Sequence, residues 1–350
     1  MLKKLVSFLL VFVLILSFSA CGKNETPSDS TVSDVTSSDT SSEALDPNKL
    51  FLNVLTGETN VPASSKGKKP YAITVNNIRV AQKVQCGLDK ADIVFETEVE
   101  GGITRLLAVF ADPGKIEKVG TVRSLRVVFA ELAAGLDSVL FYHGIDKTYC
   151  QPLLDGLGIS SYQIGNSSNS FRDNNGLAQE HTLFTNGKLL SGVVDSAKLN
   201  DKGSDKTWVS FRDSADKKAP GEQKAENIDV FFSGTTKTQF VYDKDEQKYA
   251  RARKGEEYTD ALSGNRELFT NVFVLKTSIT DYPDGYHRNV SLEGGEGYYA
   301  SAGGIVPIKW SKGDSKESFK FTYADGKELT VNQGNSYVCI MSDKKDISFN

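Results

Sequence analysis

Three glutamates at alternate positions, Glu96, Glu98 and Glu100, run into Gly101-Gly102, and Arg105 follows on the far side. A two-residue turn at the glycine pair predicts an antiparallel hairpin in which Glu100 faces Ile103, Glu98 faces Arg105 and Glu96 faces Leu107. Val99, Thr97, Phe95 and Ile93 then share the other face with Thr104, Leu106, Ala108 and Phe110. Alternation sets successive Glu side chains roughly 7 Å apart. Carboxyls at that spacing raise one another's pKa, an arrangement suited to acid–base catalysis. A solvated face with one cross-strand ion pair has the same pattern, and spacing alone leaves both readings open.

A second cluster, Gly120-Thr121-Val122-Arg123-Ser124-Leu125-Arg126, stands at a predicted helix start. Free backbone N–H groups and two guanidiniums there suit a phosphate or carboxylate. The same arginines are equally suited to neutralising the hairpin's glutamates. His143 closes a predicted strand beside Gly144, where open α/β sheets place ligands, and His181 lies in Gln179-Glu180-His181-Thr182, shortly after Phe171-Arg172-Asp173. Two of the three histidines in the chain thus fall in one region.

Other chemistries find no support. The chain lacks a G-x-S-x-G nucleophile elbow and an H-E-x-x-H zinc motif. Gly295-Glu296-Gly297-Tyr298-Tyr299-Ala300 formally matches a dinucleotide fingerprint but sits among predicted strands with no helix after it. Cysteines at 21, 86, 150 and 339 form no C-x-x-C pair, so neither a thiolate zinc site nor any other metal or cofactor is expected. With 41 Lys+Arg against 45 Asp+Glu, the 350 residues carry a net charge of −4, which argues against a nucleic-acid-coating protein.

The elements that must position these residues fall into two regions of different grain. Over 47–195, strands are predicted at Tyr71–Val75, Ala91–Glu100, Ile103–Ala111 and Ser138–Tyr142. Helices are predicted at Arg126–Gly135, closing on glycine, and at Asp146–Gly158 with Asp146 as N-cap. A polar connecting segment, 196–226, holds one short strand near Trp208–Phe211. From 227 to 348 short strands recur between turn signals, including Thr238–Tyr242, Tyr249–Arg253, Asn271–Ser278, Tyr298–Trp310 and Tyr337–Met341; His287 reads as a turn residue. The fold class is therefore α+β: an N-terminal mixed α/β domain followed by a small, mostly antiparallel all-β domain.

The first 20 residues read as a secretion signal, with Lys3 and Lys4 preceding an uncharged stretch from Leu5 to Phe18 that is too short for a bilayer span. Ser19-Ala20-Cys21-Gly22 then resembles the lipobox of bacterial lipoproteins, which implies cleavage before Cys21 and its acylation, palmitate being one expected chain. Two or three acyl chains, at about 0.8 kcal/mol per buried CH₂, hold a protein on a membrane. The stretch from 21 to 46 reads as a disordered tether: 11 of the 17 residues from Thr26 to Ser42 are Ser or Thr. With Cys21 acylated, three cysteines remain in an oxidising compartment; Cys86 with Cys150 is one pairing, and Cys339 in its apolar run reads as core.

Taken together, several motifs resemble those of the YerB-like lipoproteins, a Gram-positive family. They are Asn76-Asn77, Ala91-Asp92-Ile93-Val94-Phe95-Glu96, Glu100-Gly101-Gly102-Ile103-Thr104-Arg105, Gly120-x-Val122-Arg123-Ser124-x-Arg126, Arg172, and His181 with Leu183-x-Thr185. The likeness covers most of 47–345. Thr121 stands where the family usually has Pro, and Glu180 and Thr182 replace the Pro and Asn that flank its histidine. The resemblance singles out Glu96 and Glu100 over Glu98 and implies a two-domain lipoprotein anchored at the outer face of the cytoplasmic membrane.

Two functions follow as expectations. In the first, the polar face of the N-terminal domain binds a cell-wall polymer or an envelope protein, with Asn77, Arg105, Arg123, Arg126 and Arg172 as ligand-binding residues. In the second, a hydrolase or lyase acts on wall glycan or phosphodiester bonds, with Glu96, Glu100, His143 and His181 as acid–base candidates. Whether the protein is an enzyme at all is left open by the sequence.

Overall fold

The central strand Ile93–Glu98 lies in the middle of a ten-stranded sheet and is buried along its whole length. The computed structural model describes residues 46–350; the leader, Cys21 and the tether up to residue 45 lie outside the described residues. From one edge the sheet runs Phe319–Tyr323, Gly304–Lys312, Gly294–Ser301, Asn271–Thr277, Ser336–Ser342, Ile93–Glu98, Thr104–Phe110, Tyr71–Asn76, Val139–Tyr142 and Ser161–Gln163. Its first half comes from the C-terminal region and its second from the N-terminal region. They join where Ser336–Ile340 pairs in parallel with Ile93–Thr97, Cys339 standing beside Glu96. The fold is α+β, with mixed pairing in the N-terminal half and mostly antiparallel pairing beyond it. The two regions are nevertheless not separate layers, because one hydrogen-bonded sheet runs through both.

Both faces of this sheet are covered. On one, helix α1 (Val127–Gly135) and helix α2 (Cys150–Leu157) bring Phe129, Leu132 and Leu154 onto Phe95, Leu107 and Val109, while Trp208, Phe319 and Phe321 cover Phe273 further along. On the other, helix α3 (Gly187–Ser196) packs Leu190 and Val193 over the N-terminal half. There a second, antiparallel sheet of Asn227–Phe231, Lys237–Asp243, Lys248–Arg253 and neighbours covers the C-terminal half. Phe240 and Phe269 meet Tyr337 edge-on at 5.0 Å between ring centroids. Each such fully buried aromatic ring contributes about 2–3 kcal/mol.

The expected strands and helices occur near their expected positions, with one consequential difference in the hairpin. Glu96 faces Leu106, Thr97 faces Arg105 and Glu98 faces Thr104, one residue out of the expected register. The turn is Glu100-Gly101-Gly102, with both glycines at φ 69°, and Val99 N–H donates to Ile103 C=O across it. A three-residue turn shifts every pair by one, and Arg105 thereby leaves the face expected for the glutamates. A solvated face does not form, because the second sheet packs over the side of the strand that carries Glu96, and Tyr337 of the adjacent strand reaches the same carboxyl.

Helix α2 starts later than expected, with Tyr149 at its N-cap, and Asp146 holds the turn leading into it by accepting from the N–H groups of Thr148, Tyr149 and Cys150. The Cys86–Cys150 pairing does not occur: Cys86, Cys150 and Cys339 are all free and buried. Gly294–Ser301 is a plain strand, in keeping with rejection of the dinucleotide motif.

Candidate functional site

Glu96 is fully buried and accepts four hydrogen bonds. Asn77 Nδ2 (2.8 Å) and Thr104 Oγ1 (2.6 Å) donate to Oε1; Thr238 Oγ1 (2.8 Å) and Tyr337 OH (2.6 Å) donate to Oε2. A carboxylate offers about four acceptor sites, and all four are taken. Burial, reinforced by the Glu96 side chain and opposed by the Arg251 charge, holds the Tyr337 phenol protonated, so it serves as a donor.

The hub continues through Asn77, whose Oδ1 accepts from Arg251 Nη2 at 2.7 Å. Arg251 is itself fully buried and donates through Nη1 to Glu267 Oε2 at 2.9 Å. Burial works against that guanidinium charge, but the acidic groups around it, Glu267 and Glu96 among them, raise its pKa well above the usual arginine range. The Arg251 guanidinium also lies 4.3 Å from the Tyr258 ring centroid.

Glu100 is satisfied differently. Arg126 grips it with two nitrogens, Nε to Oε2 at 2.9 Å and Nη2 to Oε1, while Arg105 Nη2 stands 3.5 Å from Oε1. Burial alone would raise the Glu100 pKa; the hydrogen bonds and charges of Arg126 and Arg105 outweigh it and hold the carboxyl below its usual range. Arg105 is almost wholly buried and donates to Ser124 C=O at 2.7 Å. Its own pKa falls to about 9, through burial first and the adjacent Arg126 second. Glu98 receives Arg288 Nη2 at 2.6 Å, from the hairpin at Ile279–Val290. Of the two readings of the arginine motif, neutralisation of the hairpin is what Arg126 does, with the hairpin's own Arg105 beside it, whereas Arg123 turns to Glu180. Part of the N–H row is used internally, those of Val122, Arg123 and Leu125 donating to Leu183, Thr74 and Gly144 carbonyls.

His181 is buried, with Nδ1 2.9 Å from Asn76 Nδ2. Asn76 Oδ1 accepts from Ile78 N–H, so its amide group faces the ring; Nδ1 is the acceptor and the proton sits on Nε2, 3.5 Å from Glu180 Oε1. Burial lowers the His181 pKa, Arg123 adds to the effect and Glu180 opposes it. Arg123 reaches Glu180 C=O at 3.2 Å, and Arg172 binds Gln179 C=O and Thr182 Oγ1, so both brace the loop that carries His181. His143 turns Nδ1 to Ile164 C=O at 2.7 Å, away from that group. His287 occupies its expected turn and contacts Asp284.

The predicted residues therefore do not converge on one cleft. Glu96 and Asn77 belong to a buried hub spanning both regions. Glu100, Arg105, Arg126, Arg123, Arg172 and His181 lie in neighbouring clusters, the first three tied together and the last three gathered at the 172–182 segment, which Arg123 reaches from the start of α1; His143 stands apart. Among the described residues no group of three or more His, Cys, Asp or Glu is arranged to hold a metal ion. No helix among them is long and apolar enough to cross a membrane.

The structure holds a pair of adjoining cavities of about 340 and about 230 Å³, the smaller lined by the expected Asn77 and Glu96 and the rest missed by sequence reasoning. They lie between the Asn77–Lys83 loop and the Lys248–Glu257 hairpin, sharing Arg79, Gln82 and Arg253. The available signal was the basic run Lys248-x-x-Arg251-x-Arg253-Lys254, whose alternation sends neighbouring positions to different sides of a strand.

Comparison with known proteins gives a consistent picture. Residues 55–200 match the model described as the N-terminal domain of a protein of unknown function, DUF3048, and residues 228–338 match its C-terminal domain. A Bacillus subtilis (strain 168) protein named "Putative lipoprotein YerB" is 27% identical over 278 residues, covering 79% of this chain and 82% of the relative. The crystal structure of YerB from Bacillus subtilis superposes with a TM-score of 0.74 at 26% identity, covering 86% of this chain and 99% of that one.

Proposed function

The chain belongs to the YerB-like, DUF3048 family, and from that premise we propose that it is a lipoprotein held at the outer face of the cytoplasmic membrane through Cys21, whose folded part binds a cell-envelope polymer or a wall-synthesis protein without cleaving it. The anchoring half of this reading is supported by the lipobox-like Ser19-Ala20-Cys21-Gly22 and by the relative's name.

One observation supports binding over catalysis: Glu96 lines the smaller cavity, yet neither it nor Glu100 has an acceptor site left for a substrate. A general acid or base must reach the reacting atom within hydrogen-bond distance. Glu96 already accepts from four internal donors, and Glu100 is clamped by Arg126 with Arg105 beside it. His181 spends Nδ1 on Asn76, and His143 spends Nδ1 on a backbone carbonyl. The hydrolase or lyase alternative thus finds no free carboxyl at the positions it names.

The test incubates residues 46–350, one compact unit together with Leu45, with purified wall sacculi. Co-sedimentation with the sacculi and no fragment detectable by mass analysis is the expected result. Fragments released by the wild type and abolished in Glu100→Gln or Glu96→Gln, with the fold intact, would replace binding by cleavage. Loss of membrane fractionation and of labelled palmitate in Cys21→Ser tests the anchor.

A further inference from the structure

The two adjoining cavities form a groove along the line where the N-terminal and C-terminal regions meet, and its charge runs opposite to that of the chain. The whole protein is net −4, yet Arg79, Lys83, Arg253 and Lys254 line the groove, and none of the four is ion-paired among the described residues. Lys237 at the groove is bound by Asp229, and Glu257 by Arg266, which leaves Glu256 and Glu96 as its acids without an ion pair, and Glu96 is taken up by four internal donors. Four unpaired cations therefore face two carboxyls, only one of them free of internal donors. Charge of one sign in a concave site focuses the field and attracts the opposite sign.

The cationic wall is also fixed in place. Arg253 Nη1 donates to Gln82 Oε1 at 3.0 Å across the groove, which ties the two walls together and leaves most of its five N–H donors unused. Two residues earlier on the same strand, Arg251 is locked into the Glu96 and Glu267 hub. A guanidinium held this way loses little freedom on binding a planar anionic group. The one aromatic side chain lining the groove, Tyr258, has the Arg251 guanidinium 4.3 Å from its ring centroid. A single ring with one face taken by a cation falls short of the successive aromatic platforms on which single-stranded nucleic acids stack.

We propose that this groove binds a linear polyanion carrying repeated phosphodiester or carboxylate groups, which lies across Arg79 and Arg253 with Lys83 and Lys254 along its path. The assignment rests on the binding reading above and names its ligand class and surface.

The full chain in detergent micelles is titrated with three fluorescent oligomers: glycerol phosphate, polygalacturonate and neutral dextran. Anisotropy is read at low and high salt. At least one anionic oligomer binds and dextran does not; the tighter of the two identifies the anionic group. Arg79→Ala with Arg253→Ala weakens binding about tenfold or more and flattens the salt dependence. Lys83→Glu with Lys254→Glu, both exposed positions, does the same without a change in melting temperature. Lys316→Ala with Lys320→Ala, in the separate cavity beside Trp208, has no effect. Wild-type affinity in both groove variants, or equal binding of dextran, overturns the assignment. Sacculus co-sedimentation run in parallel separates the two levels: groove variants that still co-sediment remove only the groove, whereas a wild-type chain that never co-sediments removes the binding reading itself.

Discussion

Glu96 and Glu100 are four residues apart, both are buried, and they are neutralised by opposite means. Glu96 takes four neutral donors from four places in the chain, Asn77, Thr104, Thr238 and Tyr337, two from each region. Glu100 takes guanidiniums from Arg105 and Arg126, both of its own region. The first arrangement fastens the two halves of the molecule together; the second fastens the hairpin to the start of α1. An internal carboxyl here reports on assembly rather than on chemistry, and the two differ in how much of the molecule depends on each.

The comparison breaks most readily at the hub's fully buried ion pair. Glu267→Gln leaves Arg251 charged without a counter-ion and is expected to cost about 3–5 kcal/mol, read as a loss of urea midpoint. Glu96→Gln comes next. Its amide group faces two hydroxyl hydrogens where an oxygen stood, so about 2–3 kcal/mol is expected, and the loss should appear equally by probes in either region. A transition that separates into two under this substitution would show that the regions hold together without the hub.

Glu100 gives a smaller effect with a distinctive pH signature. Its folded pKa lies below the unfolded value of about 4.3, so its contribution is present above that pH and is lost as pH falls through the folded value. Wild type should therefore lose stability more steeply on acidification below about pH 5 than Glu100→Gln does, in paired melts across pH 3–7. Equal slopes would mean that the arginines contribute nothing specific to the carboxylate. At the bottom of the scale, Arg79→Ala should change stability by less than about 0.5 kcal/mol, because its charge has no internal partner. A larger loss would make the groove cation part of the framework.

Much of the framework was legible in the sequence. Alternation marked the strands on both sides of Gly101-Gly102, Gly158 marked the end of α2, and the Glu-Gly-Gly-Ile-Thr-Arg run carried the family likeness. The register was not legible, because two adjacent glycines fit either a two- or a three-residue turn and only the packed strands decide between them. The groove was not legible either: Arg79 and Arg253 are far apart in sequence and share it only because the second sheet, which carries Arg253, packs against the loop that follows Tyr71–Asn76.

By itself the sequence determined which residues alternate, where helices and turns begin, and that the chain resembles a lipoprotein family, since these depend on local spacing and short motifs. The tertiary structure alone decided which charges are spent. Thr238 and Tyr337 lie 142 and 241 positions from Glu96, and no local pattern encodes a donor supplied from so far away. Whether a glutamate serves as catalyst or as clasp is set by those distant donors, because a carboxylate with every lone pair engaged has none to offer a substrate.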